Sequence, residues 1–180
     1  TSQVSTFGAP GRGAVAMGNF FATGTRVFFA CDDGISGREP WVYDPSTAGV
    51  AFVLPYGKAC NGSSGAPSIG AIGLPSLGNA SFAITLANAL PQAFVFQTIS
   101  FAPGNIQFSS SCRQLVAYPV ILGATLFTDA NGFASVPFAI PNAPAYLGLN
   151  LFYQWAIVDP AGGIFGTFAA SNALQVVLGT

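Results

Sequence analysis

No part of this chain stays apolar long enough to build anything larger than a short strand. Glycine (22) and proline (13) recur throughout its 180 residues. No apolar run reaches the ~18 residues that a membrane-spanning helix needs. The pieces between the breakers, such as residues 26–31 and 149–158, are rich in Val, Ile, Phe, Tyr and Trp and read as strands. Helical periodicity does not persist beyond one turn. Residues 87–90 and 143–147 each read as a single helical turn.

Charge narrows the function. The chain is 51% hydrophobic and 6% charged, with five basic and six acidic side chains and no histidine. Five scattered cations cannot make the basic stripe of a nucleic-acid binder. Disorder requires the opposite balance of hydrophobicity and charge. Histidine catalysis and histidine metal ligation are excluded. Exposed positions must therefore be Ser, Thr, Asn, Gln, Gly and Ala, a surface with little repulsion against self-association. Such a surface, on a chain that begins at Thr1 as if a signal peptide had been removed, reads as extracellular or cell-surface.

The turn signals divide the chain into a polar arm (1–13), a small β unit (14–54), a Gly/Ser/Pro linker (55–67) and a β-sandwich (68–180). The small unit carries strands near 14–21, 25–31, 40–43 and 50–54. The sandwich carries strands near 81–86, 93–98, 113–117, 120–128, 134–140, 149–158, 164–169 and 173–178. Strands at 8–12-residue spacing predict an all-β, immunoglobulin-like or jelly-roll-type two-sheet sandwich. The strongest turn is Asp129-Ala130-Asn131-Gly132, where Asn-Gly supplies positive φ and predicts a hairpin pairing 126–128 with 133–138. A second hairpin is predicted around Asp159-Pro160-Ala161-Gly162-Gly163.

Three cysteines leave one unpaired or bonded between chains. Cys60 and Cys112 lie in Gly/Ser-rich segments at the edge of the same region and are the predicted disulfide. The bridge would close a loop of about 50 residues and stabilise by about 4 kcal/mol. Cys31 ends a strand-like run, as a buried small hydrophobe or as an inter-subunit disulfide.

Of the six carboxylates, Asp129 and Asp159 read as turn residues. Asp32, Asp33, Glu39 and Asp44 form an oxygen-rich cluster suited in type to calcium, without EF-hand spacing. Arg38 in the same loop offers an ion pair instead. No other cofactor is expected. Asn61 and Asn79 head glycosylation sequons and equally suit turns. Trp41, Tyr43, Tyr56, Tyr118, Tyr146, Phe152, Tyr153 and Trp155 are candidates for a polysaccharide platform. Phe152 and Trp155, however, fall on opposite faces of one strand, so Gln154-Trp155 reads as core.

Two resemblances follow from these motifs. Val27-Phe28-Phe29-Ala30-Cys31-Asp32-Asp33-Gly34, continued by Gly37, Arg38, Glu39, Trp41, Asp44, Thr47 and Gly49, resembles one copy of the bacterial ADDGxxGxELWxxDGTxxGT repeat. Pro40 and Pro45-Ser46 depart from that pattern. Such repeats build arrays of propeller-like blades, and one blade cannot bury both its faces. Residues 56–179 look like a C-terminal β-domain of secreted bacterial proteins. The carrying residues are Gly57, Cys60, Gly62, Gly65 and Pro67, then Cys112, Thr128-Asp129-Ala130-Asn131-Gly132, Gln154-Trp155-Ala156, Asp159-Pro160 and Ser171-Asn172-Ala173. The Thr-Asp-Ala-Asn-Gly turn is also similar to that of bacterial immunoglobulin-like domains. The resemblance implies a location and a scaffolding role, with no activity attached.

The expectation is a secreted, non-enzymatic structural protein that self-assembles into a filament or surface layer. Its arm would donate a strand to a neighbour, with Val4, Phe7 and Cys31 at the contact. The alternative is a glycan-binding or cell-surface attachment module. Neither nucleic acid nor a transmembrane segment enters either reading.

Overall fold

The computed structural model describes the backbone of residues 15–23, 26–32 and 38–43, and residues 49–180 except 110 with their side chains. The chain divides into two compact units, Thr1–Ala48 and Gly49–Thr180. Each is all-β.

In the first unit, β1 (Val15–Thr23), β2 (Arg26–Asp32) and β3 (Arg38–Tyr43) form an antiparallel sheet in the order β1-β2-β3. The strand predicted near 50–54 does not belong to it. That strand, β4 (Phe52–Tyr56), pairs with β13 (Phe168–Val177), so it is a strand of the sandwich. The segment predicted as a linker is also structural: Cys60 forms a β-bridge with Ala170.

The second unit is sandwich-like. One layer has five antiparallel strands in the order β10-β7-β12-β13-β4. Here β7 is Phe94–Ser100, β10 is Ile121–Phe127 and β12 is Asn150–Val158. The facing layer runs β11-β6-β5, from Ala134–Pro137, Ala83–Ala87 and Ser68–Ile72. Alternation along β12 gives the large sheet apolar side chains on both faces. Leu151, Tyr153, Trp155 and Ile157 point inward and join Phe82, Ile84, Leu86, Val95 and Leu174 in the main core. The indole N–H of Trp155 donates to the carbonyl of Thr85 across the layers (3.2 Å). Phe152, Gln154 and Ala156 take the opposite, outer face.

Two motifs change meaning in three dimensions. The Asp129 turn is not a hairpin: β10 pairs with β7 and β11 with β6, so the turn carries the chain from one layer to the other. Gly132 has φ +71, and a Cβ there would lie 2.0 Å from the carbonyl oxygen of Ala89. That close approach holds the corner against residues 88–90. Ser171-Asn172 is a β-bulge. Gln154 faces Ala173 and Ala156 faces Ala170, leaving two residues of β13 opposite Trp155. The Ser171 hydroxyl accepts from the Trp155 amide (3.0 Å), and the Asn172 side chain accepts from the Ile69 amide in the other layer (3.0 Å).

The strands predicted at 164–169 and 173–178 are one strand, β13, with Ile164 in the preceding turn. Strands β5 and β8 (Pro103–Gln107) have no counterpart in the sequence reading. Residues 144–146 form the expected single turn, of 3-10 type.

Candidate functional site

Strands β8 and β9 (Arg113–Val116) form a two-stranded hairpin over the outer face of the large sheet. Gln154 fastens it. Its carbonyl oxygen accepts from the Leu115 amide (2.8 Å), and its amide nitrogen donates to the carbonyls of Arg113 (3.1 Å) and Ser171 (2.9 Å). Tyr56 donates its hydroxyl to the Leu115 carbonyl (2.6 Å). The Cys60–Cys112 disulfide ties the same hairpin to the segment that follows β4. Cys60, Cys112, Ile164 and Ala170 form a second, smaller buried cluster, with Phe168 packed against it.

The loop from Asp159 to Thr167 abuts this cluster, and a carboxylate organises it. Asp159 is buried and accepts from the hydroxyl and amide of Ser63 and from the amide of Ala161. Burial alone would push its carboxyl up; the bonds from Ser63 and Ala161 outweigh it and hold the carboxyl below the usual value. A carboxyl depressed in the folded chain stabilises it above the unfolded value, and that contribution is lost as pH falls through the folded value. Asp159→Asn should therefore cost about 1–2 kcal/mol at pH 7. Relative to wild type it should lose less stability on acidification below the ordinary carboxylate value. Thermal unfolding from pH 7 to pH 2.5 measures both.

Between the hairpin and this loop the outer face holds a cleft of about 260 Å³. Its walls are phenylalanines. Phe108 and Phe165 meet edge to face at 6.2 Å, as do Phe96 and Phe168 at 6.2 Å. Ala156 and Ala170 also line it. Phe165 is 77% exposed and sits at φ +53, a conformation rare for a bulky residue. The polar residues of the cleft are already bonded to backbone. Thr98 donates to the Gln154 carbonyl (2.8 Å), Gln114 to that of Val116 (2.9 Å), and Gln154 to the hairpin. The cleft is thus apolar, and its polar side chains are engaged by backbone.

The apolar face continues to the sheet edge. Phe94 and Phe127 pair at 5.5 Å, and Leu122 and Phe127 on β10 are 61% and 67% exposed. From Gly49 to Thr180 the sequence has four charged side chains, Lys58, Arg113, Asp129 and Asp159, none of them on β7, β10, β12 or β13. Arg113 bonds Asn105 and Gln107 on the hairpin.

The residues singled out from sequence fare differently. Cys60 and Cys112 are bonded, with Cα atoms 4.8 Å apart. Asp129 is a turn carboxylate: the amides of Phe133 and Asn131 bond it and hold it below the usual value. Asn79 uses both ends of its amide locally, donating to the Leu74 carbonyl and accepting from the Ser81 amide. Asn61 is exposed, and its carbonyl accepts from the Gly163 amide. In the small unit, Asp32 stands opposite Arg38 and Cys31 opposite Glu39 in the β2–β3 register. Their side chains lie outside the described residues, as do Val4, Phe7, Asp33 and Asp44 entirely. Trp155 and Tyr153 are core, Tyr56 packs on Phe152 at 6.1 Å, and Tyr118 and Tyr146 are exposed on separate loops. The predicted aromatics form no common row among the described residues. Phe96, Phe108, Phe165 and Phe168, which do come together, were not singled out from the sequence. No helix among the described residues is long and apolar enough to cross a membrane.

No family model, curated protein or solved structure matches the chain.

Proposed function

We propose that this chain is a secreted structural protein, a self-assembling subunit of an extracellular filament or surface layer. One observation carries the reading: the uncharged apolar outer face of the large sheet, which runs out onto β10. Among the described strands β10 pairs on one side only. Edge strands are normally guarded by lysine, proline, bulges or a covering element. The strand β10 has no charged residue and no proline; its one guard is the register irregularity between Leu122 and Ala124. Exposed apolar surface of this kind marks an association site. The disulfide suits an oxidising compartment.

Strand donation by residues 1–13 is the mechanism we favour, because an open edge is what a donated strand pairs with. Deleting residues 1–13 should leave a folded chain that no longer forms fibres or sheets in negative-stain micrographs. Unchanged assemblies from the deleted chain would eliminate the arm as donor. Glycan binding is the weaker reading at the cleft, because the polar groups there are already bonded to backbone.

A further inference from the structure

The cleft and the exposed ring of Phe127 lie on one face of one sheet. From that juxtaposition we propose that this face is a contact between two copies of the chain, with Phe127 of each copy seated in the phenylalanine-walled cleft of the other. The proposal rests on the self-assembly reading above and adds to the donated arm a second, pairwise contact.

The chemistry of the cleft selects the occupant. Its 260 Å³ exceeds the ~150 Å³ at which a cavity lined by Leu, Ile and Phe already takes a benzene ring. A sugar or a charged peptide entering it would leave polar groups without partners, at a cost a hydrocarbon ring does not incur. A second copy supplies that ring. Phe127 is 67% exposed and packs against Phe94, which lies two residues along β7 from the cleft wall Phe96. Two residues along a strand are about 7 Å. A two-fold axis lying in the face, and bisecting the line from ring to cleft, carries each ring into the opposing cleft. The contact therefore closes with two copies, and extension into a filament or layer is left to the donated arm.

The exposed apolar area clears the lower bound for an interface. Phe94, Phe108, Leu122, Phe127 and Phe165 expose between 37% and 77% of themselves. At ~200 Å² per large side chain they uncover roughly 550 Å² per copy. Two copies together offer roughly 1,100 Å², above the ~1,000 Å² that a biological interface should clear. No charge on the four strands opposes the approach.

The test uses the full chain and sedimentation velocity over a wide concentration range. The wild type should associate reversibly. Phe127→Ser removes the ring and Ala156→Leu fills the cleft. Both act at the outer surface, so circular dichroism should be unchanged. Each variant alone should associate at least about thirtyfold more weakly. An equimolar mixture of the two should recover part of the association, because the mixed pair keeps one of the two ring-in-cleft contacts. Two variants that each associate as tightly as wild type would overturn this contact and leave assembly through another surface standing. A wild type that stays monomeric at every concentration would overturn both.

Discussion

Replacing Cys60 and Cys112 together by alanine should lower the stability of the second unit by about 4 kcal/mol, the largest loss we expect from removing a single bond. The two residues are 52 apart in sequence, and opening a loop of that length returns about that much entropy to the unfolded chain. The folded state should also lose packing, because the bridge is buried in a crowded place. A Cβ on Gly163 would lie 2.8 Å from the Cys112 sulfur and 3.0 Å from that of Cys60. The alanines leave a gap there, lined by Ile164, Ala170 and Phe168. The backbone bonds between Cys60 and Ala170 (2.7 and 3.1 Å) remain to hold the strand position, so the loss should be thermodynamic rather than a change of fold. Urea unfolding should show a lower midpoint and a larger slope, because the uncrosslinked unfolded chain exposes more surface. Wild type under reductant should match the double variant. A shift under 1 kcal/mol would mean that the loop-closure argument does not govern this protein.

The disulfide was legible because its signal is compositional: two cysteines in Gly/Ser-rich segments. The alternation of Phe82, Ile84 and Leu86 was legible because a half-buried strand writes its own period into the sequence. The partner of a strand is not written that way. Phe52–Tyr56 looks the same beside the small unit as beside β13, and only the structure shows β13 beside it. The Asn131-Gly132 turn shows the same limit. Its positive φ was readable, but whether it joins neighbours or crosses between layers depends on Ala89, more than 40 residues away. Strands β5 and β8 were missed because Gly70, Pro103 and Gly104 have poor strand propensity; pairing with β6 and β9 overrides it. The cleft was invisible for a related reason. Phe96, Phe108, Phe165 and Phe168 come from two strands and two loops, and no spacing connects them.

Gln154 makes the complementary case, a residue that reads as ordinary core and yet fixes the site. Gln154→Leu should destabilise the second unit by about 3 kcal/mol or more, although leucine has a similar volume and the position is buried. The substitution leaves three backbone groups without partners: the Leu115 amide and the carbonyls of Arg113 and Ser171. Two of them belong to β9, so the cost should fall where the hairpin meets the sheet. The Tyr56 hydroxyl on the Leu115 carbonyl and the disulfide at Cys112 still tether the hairpin. It should therefore loosen rather than detach. Amide hydrogen exchange should locate the effect, with protection lost at Leu115 and its β9 neighbours and retained at Tyr153 and Trp155 in the main core. Because Gln114 and Phe108 stand on or beside the hairpin, the cleft should lose its shape in the same variant, and with it the contact between copies. Loss of protection spread evenly over β7, β12 and β13 would instead make Gln154 a general core residue and take the hairpin out of the control of the site.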